Sequence, residues 1–347
     1  MPRVRIGLDI GATAVRAAEL SVRGYPPTLV RAAQVPLPPG AVSGGEVQDR
    51  DAVVAALQDL WRSGKFRSKE VVLGVANQRV VVREVAVPWL EPKELRQSLP
   101  FQVQEYVPIP LEEAVLDFHV LEEFEQDARR MVRVLLVAAQ KTMINQLVGA
   151  VEASKLRPVG LDLVPFAIVR SVGSSDGALD GEDEAIVDIG SDVTSICVHS
   201  WGVPRFVRIL QSGGREVTEA ISRALDVPTE EAERLKRGLD GQDPEKAAHA
   251  ERVASDRAAL FAQDVRSSLD FYLTQTNARL SRVLISGGGS KLDALHPVLE
   301  EELPADVVQG RPFHRVRPDL NLPEEVMAEA EPLLAVAVGL ALPGGRG

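Results

Sequence analysis

The chain repeats one short pattern twice, and this repeat is what most limits the folds open to it. Residues 3 to 20 and 185 to 200 each read as an apolar strand, an aspartate, one apolar residue, a glycine, a short polar turn and a second apolar strand. The aspartates, Asp9 and Asp188, are 179 residues apart (188 − 9). Alternating apolar runs on both sides of a tight polar turn predict a β-hairpin in each place.

The residues of the two turns are typical of phosphate binding. Gly11 and Gly190 let the backbone bring its N–H groups close to an anion. Asp9 and Asp188, each at the end of a strand, are suited to a hydrated Mg²⁺, which favours one or two carboxylates plus water and phosphate oxygens. A third glycine cluster follows at residues 286 to 292. One such hairpin is also an ordinary turn, but the matched pair predicts a duplicated nucleotide-binding fold with a cleft between its halves.

Composition excludes several other classes of protein. The 347 residues are 45% apolar and 26% charged, as in globular chains, and their number predicts two domains. A net charge of −11 argues against a nucleic-acid-binding surface. The single cysteine, Cys197, excludes an internal disulfide and a zinc cluster, and its apolar strand context predicts a buried, inert thiol. The histidines show no metal-ligand spacing; they are His119, His199, His249, His296 and His314.

Targeting signals are not recognisable. The first residues enter a predicted strand at once, which leaves no room for a signal peptide. No stretch approaches the eighteen or more apolar residues of a membrane span. We therefore expect a cytoplasmic protein that does not insert into a membrane directly.

Periodicity predicts the order of elements. The chain opens β-β-β-α-β up to residue 76, changes character over 77–140, and continues with a helix over 142–156 and a strand over 158–165. The acidic, glycine-rich residues 173–184 predict a linker. The later expectations are a strand around residues 203–210, helices at 212–225 and from Thr229, a charged loop over 238–250, a long amphipathic helix over 251–275 and a small-residue helix over 331–342.

The order strand-Asp-x-Gly twice, then strand-GGG, resembles the actin-like ATPase superfamily. Within it, three stretches resemble the type IV pilus assembly protein PilM family: GLDIGATAVRAAEL near the start, residues 82–121 and residues 135–167. The PIPLEE–LDF pattern of the middle stretch is the most specific, because it has no role in nucleotide chemistry. The resemblance implies an α/β, duplicated actin-like ATPase fold with two domains around a nucleotide cleft and an inserted subdomain of the FtsA/PilM type.

The resemblance also implies domain limits. Domain 1 is expected over 1–180 with the insert at about 77–157, and domain 2 over 181–328 with a smaller subdomain at about 214–270. Residues 329–347 are expected to form a C-terminal helix that packs back on domain 1.

Carried over residue by residue, the resemblance implies a site for ATP and Mg²⁺, with Asp9 and Asp188 as the metal-binding residues. The implied nucleotide-binding residues are Asp9, Gly11, Ala12, Thr13 and Arg16 in the first phosphate loop, Asp188, Gly190, Ser191 and Asp192 in the second, Gly213, Gly214, Glu216, Glu233 and Lys236 on the adenosine side, and Gly287, Gly288, Gly289 and Lys291 closing the site. No catalytic residue is identifiable, so we expect slow ATP hydrolysis at most.

Four positions depart from the family pattern. Ala12 and Ala14 stand where relatives frequently have serine, which removes hydroxyl contacts but not the N–H groups. Arg16 replaces a lysine, keeping the charge with a different geometry. Pro100 falls inside the expected helix of the insert and is expected to start or kink it.

The implied partner is the short N-terminal cytoplasmic peptide of the inner-membrane protein PilN, bound in a groove between the insert and the first core subdomain. The insert carries the most family-specific residues, which include Tyr106, Pro108, Pro110, Leu111 and Phe118. The acidic chain suits a peptide with lysines and arginines. Other pilus platform or motor proteins and a homo-oligomer are further possible partners, and the protein is expected at the inner face of the membrane through its partner.

Two other functions stay open on sequence grounds. A small-molecule kinase on the same fold needs a general base beside the acceptor hydroxyl, and no aspartate-bearing loop stands out for that role. A filament-forming division protein like FtsA is expected to carry a C-terminal amphipathic helix, which is not recognisable here. A heat-shock chaperone is not expected, because it would need a further substrate domain and the predicted elements leave no residues for one. The preferred prediction is an ATP-binding scaffold of the type IV pilus platform.

Overall fold

The computed structural model describes residues 4–174, 182–239 and 243–344. The elements up to residue 174 are β1 (Val4–Ile10), β2 (Ala14–Ser21), β3 (Thr28–Pro36), β4 (Val42–Ser43), β5 (Glu46–Val47), α1 (Arg50–Gly64), β6 (Glu70–Val75), β7 (Val81–Pro88), α2 (Pro92–Gln102), β8 (Ala114–Gln126), β9 (Arg129–Gln140), α3 (Lys141–Ala153), β10 (Arg157–Leu163) and α4 (Val164–Val172).

The remaining described elements follow the second hairpin. They are β11 (Asp183–Ile189), β12 (Thr194–Ser200), β13 (Val203–Leu210), α5 (Gly214–Leu225), α6 (Thr229–Lys236), α7 (Pro244–Thr276), β14 (Leu280–Ser286), α8 (Leu295–Glu302), β15 (Asp306–Gln309), β16 (Arg317–Pro318), α9 (Glu324–Ala330) and α10 (Ala335–Ala341).

Two sheets share one plan. The first has the order β10-β6-β1-β2-β3-β16 and the second β13-β12-β11-β14-β15. In each, the Asp-x-Gly strand pairs antiparallel with the next strand of its hairpin and parallel with a later strand: β1 with β2 and β6, and β11 with β12 and β14. Helices α1 and α3 cover the core of the first sheet, and α7 and α8 that of the second. The repeated pattern therefore folds into a repeated topology.

Helices α4 and α10 pack against each other, and the cluster that they form contains residues of both sheets. Their backbones approach closely at Gly339, where an added Cβ would overlap the carbonyl oxygen of Ala167. Gly7 of β1 is equally crowded, since a Cβ there would overlap the carbonyl oxygen of Ala337. Ile186 and Cys197 of the second sheet pack into the same cluster. The pair α4–α10 thus joins the two halves, and Cys197 is buried as expected, with burial raising its thiol pKa.

The segment between β6 and α3 forms a small subdomain. Its sheet has the order β7-β9-β8, and α2 packs on one face through Leu95 and Leu99. Pro100 does not start this helix as one expectation had it: the helix begins at Pro92 and ends at Gln102, so Pro100 lies in its last turn. Pro100 has no N–H to donate to the Arg96 carbonyl oxygen, and the helix ends two residues later.

Two sequence expectations were wrong at element boundaries, and one helix was not expected. Helix α7 begins at Pro244, inside the expected charged loop, because the Asp243 carboxylate accepts the N–H groups of Glu245 and Lys246 and caps it. Strand β11 begins at Asp183, inside the expected linker, whose residues 175–181 lie outside the described chain, as do residues 240–242 of the loop. Helix α4 follows β10 directly and had no counterpart in the expectations.

Candidate functional site

The two Asp-x-Gly turns have the same backbone geometry. The Gly11 N–H donates to the Ala14 carbonyl oxygen at 3.1 Å, and the Gly190 N–H donates to the Val193 carbonyl oxygen at 3.0 Å. Both glycine N–H groups are therefore used inside their own turn. Within the described chain, the next two N–H groups of each turn have no protein acceptor; they belong to Ala12, Thr13, Ser191 and Asp192. These four groups are the ones available to a phosphate.

The two aspartates of the turns share one electrostatic environment. Asp9 lies opposite Arg16 in the β1–β2 ladder, and the two side chains form an ion pair at 3.7 Å. Burial raises the pKa of Asp9, and Arg16 opposes that rise. Burial, followed by the charge of Asp9, raises the pKa of Asp188 to about 7, against the effects of Arg16 and Ser286. The turns, far apart in the chain, thus bring two carboxylates together.

Three buried polar atoms beside these carboxylates lack a hydrogen-bond partner in the described residues. They are Asp188 Oδ1, Ser286 Oγ and Arg16 Nε. Ser286 lies opposite Asp188 in the β11–β14 register, but no hydrogen bond of normal geometry joins the two side chains. Buried polar groups are nearly always satisfied, so this set fits a polar ligand. Two carboxylates with one arginine and four free N–H groups suit a hydrated Mg²⁺ and phosphate oxygens.

The later glycine-rich loops converge on the second turn. A Cβ on Gly213 would lie 2.5 Å from the Gly190 carbonyl oxygen, and one on Gly287 would lie 2.5 Å from the Ile189 carbonyl oxygen. Gly287 also has a φ of +82°, which favours glycine. Gly289 packs against the Ile189 side chain, while Gly288 is exposed. The three loops therefore form one backbone-lined surface.

The side chains expected on the adenosine side form two neighbouring groups. The Lys236 ammonium donates to the Gly214 carbonyl oxygen at 3.1 Å and to Thr218 Oγ1 at 2.8 Å, and it lies 2.6 Å from Glu233 Oε2. Burial lowers the pKa of Lys236, and Glu233 opposes this shift. Burial acts to raise the pKa of Glu233, but hydrogen bonds from Lys236 and Thr218 outweigh it, so this pKa is lowered.

Glu216 belongs to the second group. Its carboxylate accepts from Ser212 Oγ at 3.1 Å and from Arg257 at 2.7 Å. Asp192 pairs with Arg215 at 2.8 Å, which turns that carboxylate toward α5.

Lys291 does not join these groups, because its ammonium is bonded to Glu329 of α9. Sequence reasoning missed Thr218 and Ser286. Thr218 is one helical turn after Gly214, and its Oγ1 lies 3.2 Å from the Gly214 carbonyl oxygen, a spacing that could have indicated it. The nucleotide-binding and metal-binding roles of the expected residues stay predictions.

The insert presents a partly exposed apolar surface. A cavity of about 390 Å³ is lined by Gln104, Val107, Ile109, Pro110, Leu111 and Glu112. Beside it, Phe101 is 79% exposed and Tyr106 41% exposed. Pro108 is exposed too, whereas Phe118 packs against the insert core and carries the Arg96 guanidinium 5.2 Å from its ring centre. Among the residues expected to contact the partner, Phe118 therefore contributes mainly to the core of the insert.

Comparison with known proteins identifies the family. A model of the family described as type IV pilus assembly protein PilM matches residues 7–344. A solved PilM-PilN type IV pilus biogenesis complex contains a similar chain, with 30% identity, a TM-score of 0.84 and 98% of each chain covered. MreB5 of Spiroplasma citri bound to ADP is 12% identical, with a TM-score of 0.54 and coverage of 97% of this chain and 94% of that one, and it shares the fold alone.

Curated relatives include the cell division protein FtsA of Bacillus subtilis (strain 168), 26% identical over 226 residues, or 58% of this chain and 51% of FtsA. The chain thus spans about half the length of the curated relatives it matches. In residues 4–174, 182–239 and 243–344, no helix combines the length and apolarity needed to cross a membrane. The expected α/β actin-like ATPase fold is confirmed. Because the family model spans nearly all of it, this chain belongs to the type IV pilus assembly protein PilM family.

Proposed function

We propose that the protein is an ATP-binding scaffold of the type IV pilus inner-membrane platform that docks the N-terminal cytoplasmic peptide of PilN. The observation that carries the nucleotide part is the pair Asp9 and Asp188, whose charges interact with each other and with Arg16. Buried polar atoms without hydrogen-bond partners belong to this same group of residues. A carboxylate with a pKa of about 7 beside a second carboxylate favours a bound cation, because a cation removes the repulsion between the two charges.

In this proposal, each group of site residues has one role. Asp9 and Asp188 hold Mg²⁺, the free N–H groups of the two turns bind the phosphates, and Arg16 adds a positive charge beside them. The adenosine side is the surface around Gly214, with the glycine loop at residues 287–289 closing it. Since no residue is assigned to activate water, we expect slow hydrolysis at most.

The nucleotide role is tested by ligand-dependent unfolding. With nucleotide-free protein, Mg·ATP at a hundred times its dissociation constant stabilises the fold by about 2.7 kcal/mol. We expect the Tm to rise by a few degrees with Mg²⁺ and ATP together, and less without Mg²⁺. Asp188→Ala and Asp9→Ala each weaken binding about ten- to a hundredfold, the value of a charge-assisted contact of about 1.5–3 kcal/mol. Asp306→Ala, on an exposed strand position, is the matched control. No shift with ATP or ADP contradicts the proposal.

The partner role is supported by the chemistry of the insert surface. The cavity, lined by both apolar and polar side chains, lies among acidic residues: Glu105, Glu112 and Glu113 are exposed. In the described chain their carboxylates form no ion pair, although the Lys141 ammonium donates to the Glu112 backbone carbonyl oxygen at 2.6 Å. Such a rim attracts a peptide that carries lysines or arginines next to apolar side chains. The similar chain at 30% identity occurs in a complex described as PilM-PilN. We place the protein in the cytoplasm, at the membrane through this partner.

The partner role is tested with a labelled PilN N-terminal peptide from the same organism, using fluorescence anisotropy. We expect micromolar binding that weakens on Leu111→Ala, because Leu111 lines the cavity. Phe271→Ala, which removes an exposed aromatic ring from α7 (55% exposed), is the control for loss of surface apolarity elsewhere. Absence of binding both with and without ATP removes the adaptor role and leaves an actin-like protein with another task.

A further inference from the structure

Strand β13 divides its two faces between the halves of the molecule. Phe206 and Leu210 pack against the core of the second sheet. Val207 and Ile209, which alternate with them, point the other way, since neighbouring side chains of a strand face opposite sides. Val207 packs on the cluster around α4, and Ile209 packs on the core of the first sheet, which includes Val80 just before β7. The strand also runs beside β7, the first strand of the insert.

The end of β13 leads directly into the nucleotide surface. Residues 211–214 connect Leu210 to α5 and are bonded to the second turn. The Gly214 N–H donates to the Gly190 carbonyl oxygen at 3.0 Å, and Thr194 Oγ1 donates to the Ser212 carbonyl oxygen at 2.8 Å. A displacement of Ile209 or Gln211 is therefore passed to the turn that carries the free N–H groups.

The other side of this contact is the base of the insert. Asn77, 3% exposed, donates to the Gly44 carbonyl oxygen at 2.6 Å and to Glu46 Oε1 at 3.0 Å. Arg79 pairs with Glu46 at 3.3 Å and contacts Gln140 at the end of the insert sheet at 3.4 Å. The β4–β5 hairpin thus binds the residues where the chain enters the insert, and Arg79 links them to Gln140, at the end of the insert sheet.

The two sides meet at Gly44 and Gln211. A Cβ on Gly44 would lie 2.9 Å from Gln211 Nε2, so the amide side chain lies against the turn that binds Asn77. We propose that Ile209 and Gln211 are positioning residues that couple occupancy of the nucleotide cleft to the orientation of the insert. This inference rests on the proposed function, and it assigns the contact through which nucleotide and peptide binding affect each other.

The test measures one coupling factor. The dissociation constant of the labelled PilN peptide is determined with nucleotide-free protein and with saturating Mg²⁺ and a non-hydrolysable ATP analogue. We expect the two values to differ at least fivefold, within the usual range of allosteric coupling. Ile209→Ala and Gln211→Ala bring the ratio close to one, while each ligand alone binds within about threefold of wild type. Ile209→Val retains the ratio, and Arg208→Ala, an exposed neighbour on β13, is the matched control.

A second readout does not use the peptide. Hydrogen exchange of the backbone amides in residues 41–48 and 77–81 is compared with and without the nucleotide analogue, and we expect a change in wild type that Ile209→Ala abolishes. A wild-type coupling factor of one, or a factor that both alanine variants leave intact, overturns the inference while the two binding roles stand. Failure of wild type to bind peptide or nucleotide overturns the proposed function, and the inference with it.

Discussion

At the scale of single residues, the cleft is organised around a carboxylate whose neighbours only partly offset the free-energy cost of burying its charge. Asp188 is 8% exposed, and its neighbours oppose one another: Asp9 raises its pKa, whereas Arg16 and Ser286 lower it. The sequence predicted the two aspartates because each stands in a recognisable turn. It could not predict Ser286, whose place beside Asp188 depends on the parallel register of β11 and β14, a long-range pairing that no local pattern encodes.

The raised pKa of Asp188 makes stability depend on pH. The folded-state pKa of Asp188 is about 7, above the ordinary value of 3.8. The contribution of Asp188 to the free energy of unfolding is therefore complete below pH 3.8 and is lost as pH rises through about 7. We expect Asp188→Asn to raise the Tm of nucleotide-free, metal-free protein by a few degrees at pH 8 and by much less at pH 5. Asp306→Asn serves as the exposed control. An equal effect at both pH values contradicts the assignment.

The same residue predicts how metal binding depends on pH. Mg²⁺ binds the deprotonated carboxylate, so its stabilising effect in the presence of ATP is expected to grow as pH rises through about 7. The measurement is the increase in Tm on adding Mg²⁺ at fixed ATP across this range. The Asp188→Asn variant lacks this dependence if Asp188 is the titrating group. A flat profile in wild type contradicts the role of Asp188 as a metal-binding residue.

At the scale of elements, periodicity predicted most of the strands and helices, since a face that must be buried repeats its apolar residues. The expected β-β-β-α-β opening is present, with a short hairpin, β4–β5, between the third strand and α1 that was not expected. The start of α7 was not, because its Asp243–Pro244 capping signal lies in a charged segment that reads equally as a loop. Close packing of backbones was also out of reach. Nothing local marks Gly339 as the residue that must lie against Ala167.

This close approach of α4 and α10 gives a prediction with an internal control. Gly339→Ala is expected to destabilise the protein by about 1–3 kcal/mol, because the added methyl group overlaps the Ala167 carbonyl oxygen and the helices must separate. Gly149→Ala in α3 meets nothing within 4 Å and is expected to stabilise by about 0.5–1 kcal/mol through helix propensity. Urea unfolding of both variants is the measurement. Equal effects of the two substitutions contradict the close approach of α4 and α10 at Gly339.

At the scale of the whole molecule, a buried polar network stands where α4 meets the second sheet. Glu184 is fully buried and accepts hydrogen bonds from Arg282 Nε at 2.5 Å and from the Ser174 N–H at 2.7 Å. His199 Nδ1 accepts the Gly202 N–H, so Nε2 carries the proton and donates to Glu184 at 3.0 Å. Because the network bonds Ser174, just after α4, to three strands of the second sheet, it fixes the orientation of the two halves.

Replacing this carboxylate tests whether the halves depend on it. Burial acts to raise the pKa of Glu184, but the bonds from His199, Ser174 and Arg282 outweigh it and lower the pKa to about 2. The contribution of Glu184 to the free energy of unfolding is therefore present above pH 4.5 and is lost as pH falls toward about 2.

Glu184→Gln is expected to lower the free energy of unfolding at pH 7 by about 3–5 kcal/mol, since it leaves Arg282 without its anion. The loss shrinks as pH falls from about 4.5 toward about 2, because the unfolded state of wild type then takes up a proton that the folded state does not. Glu219→Gln, on an exposed face of α5, is expected to change the free energy of unfolding by less than about 0.5 kcal/mol. The measurement is denaturant unfolding of wild type and both variants across this pH range. A loss of unfolding free energy in Glu184→Gln that does not depend on pH would assign the effect of the network to packing and would contradict an ionic link between the halves.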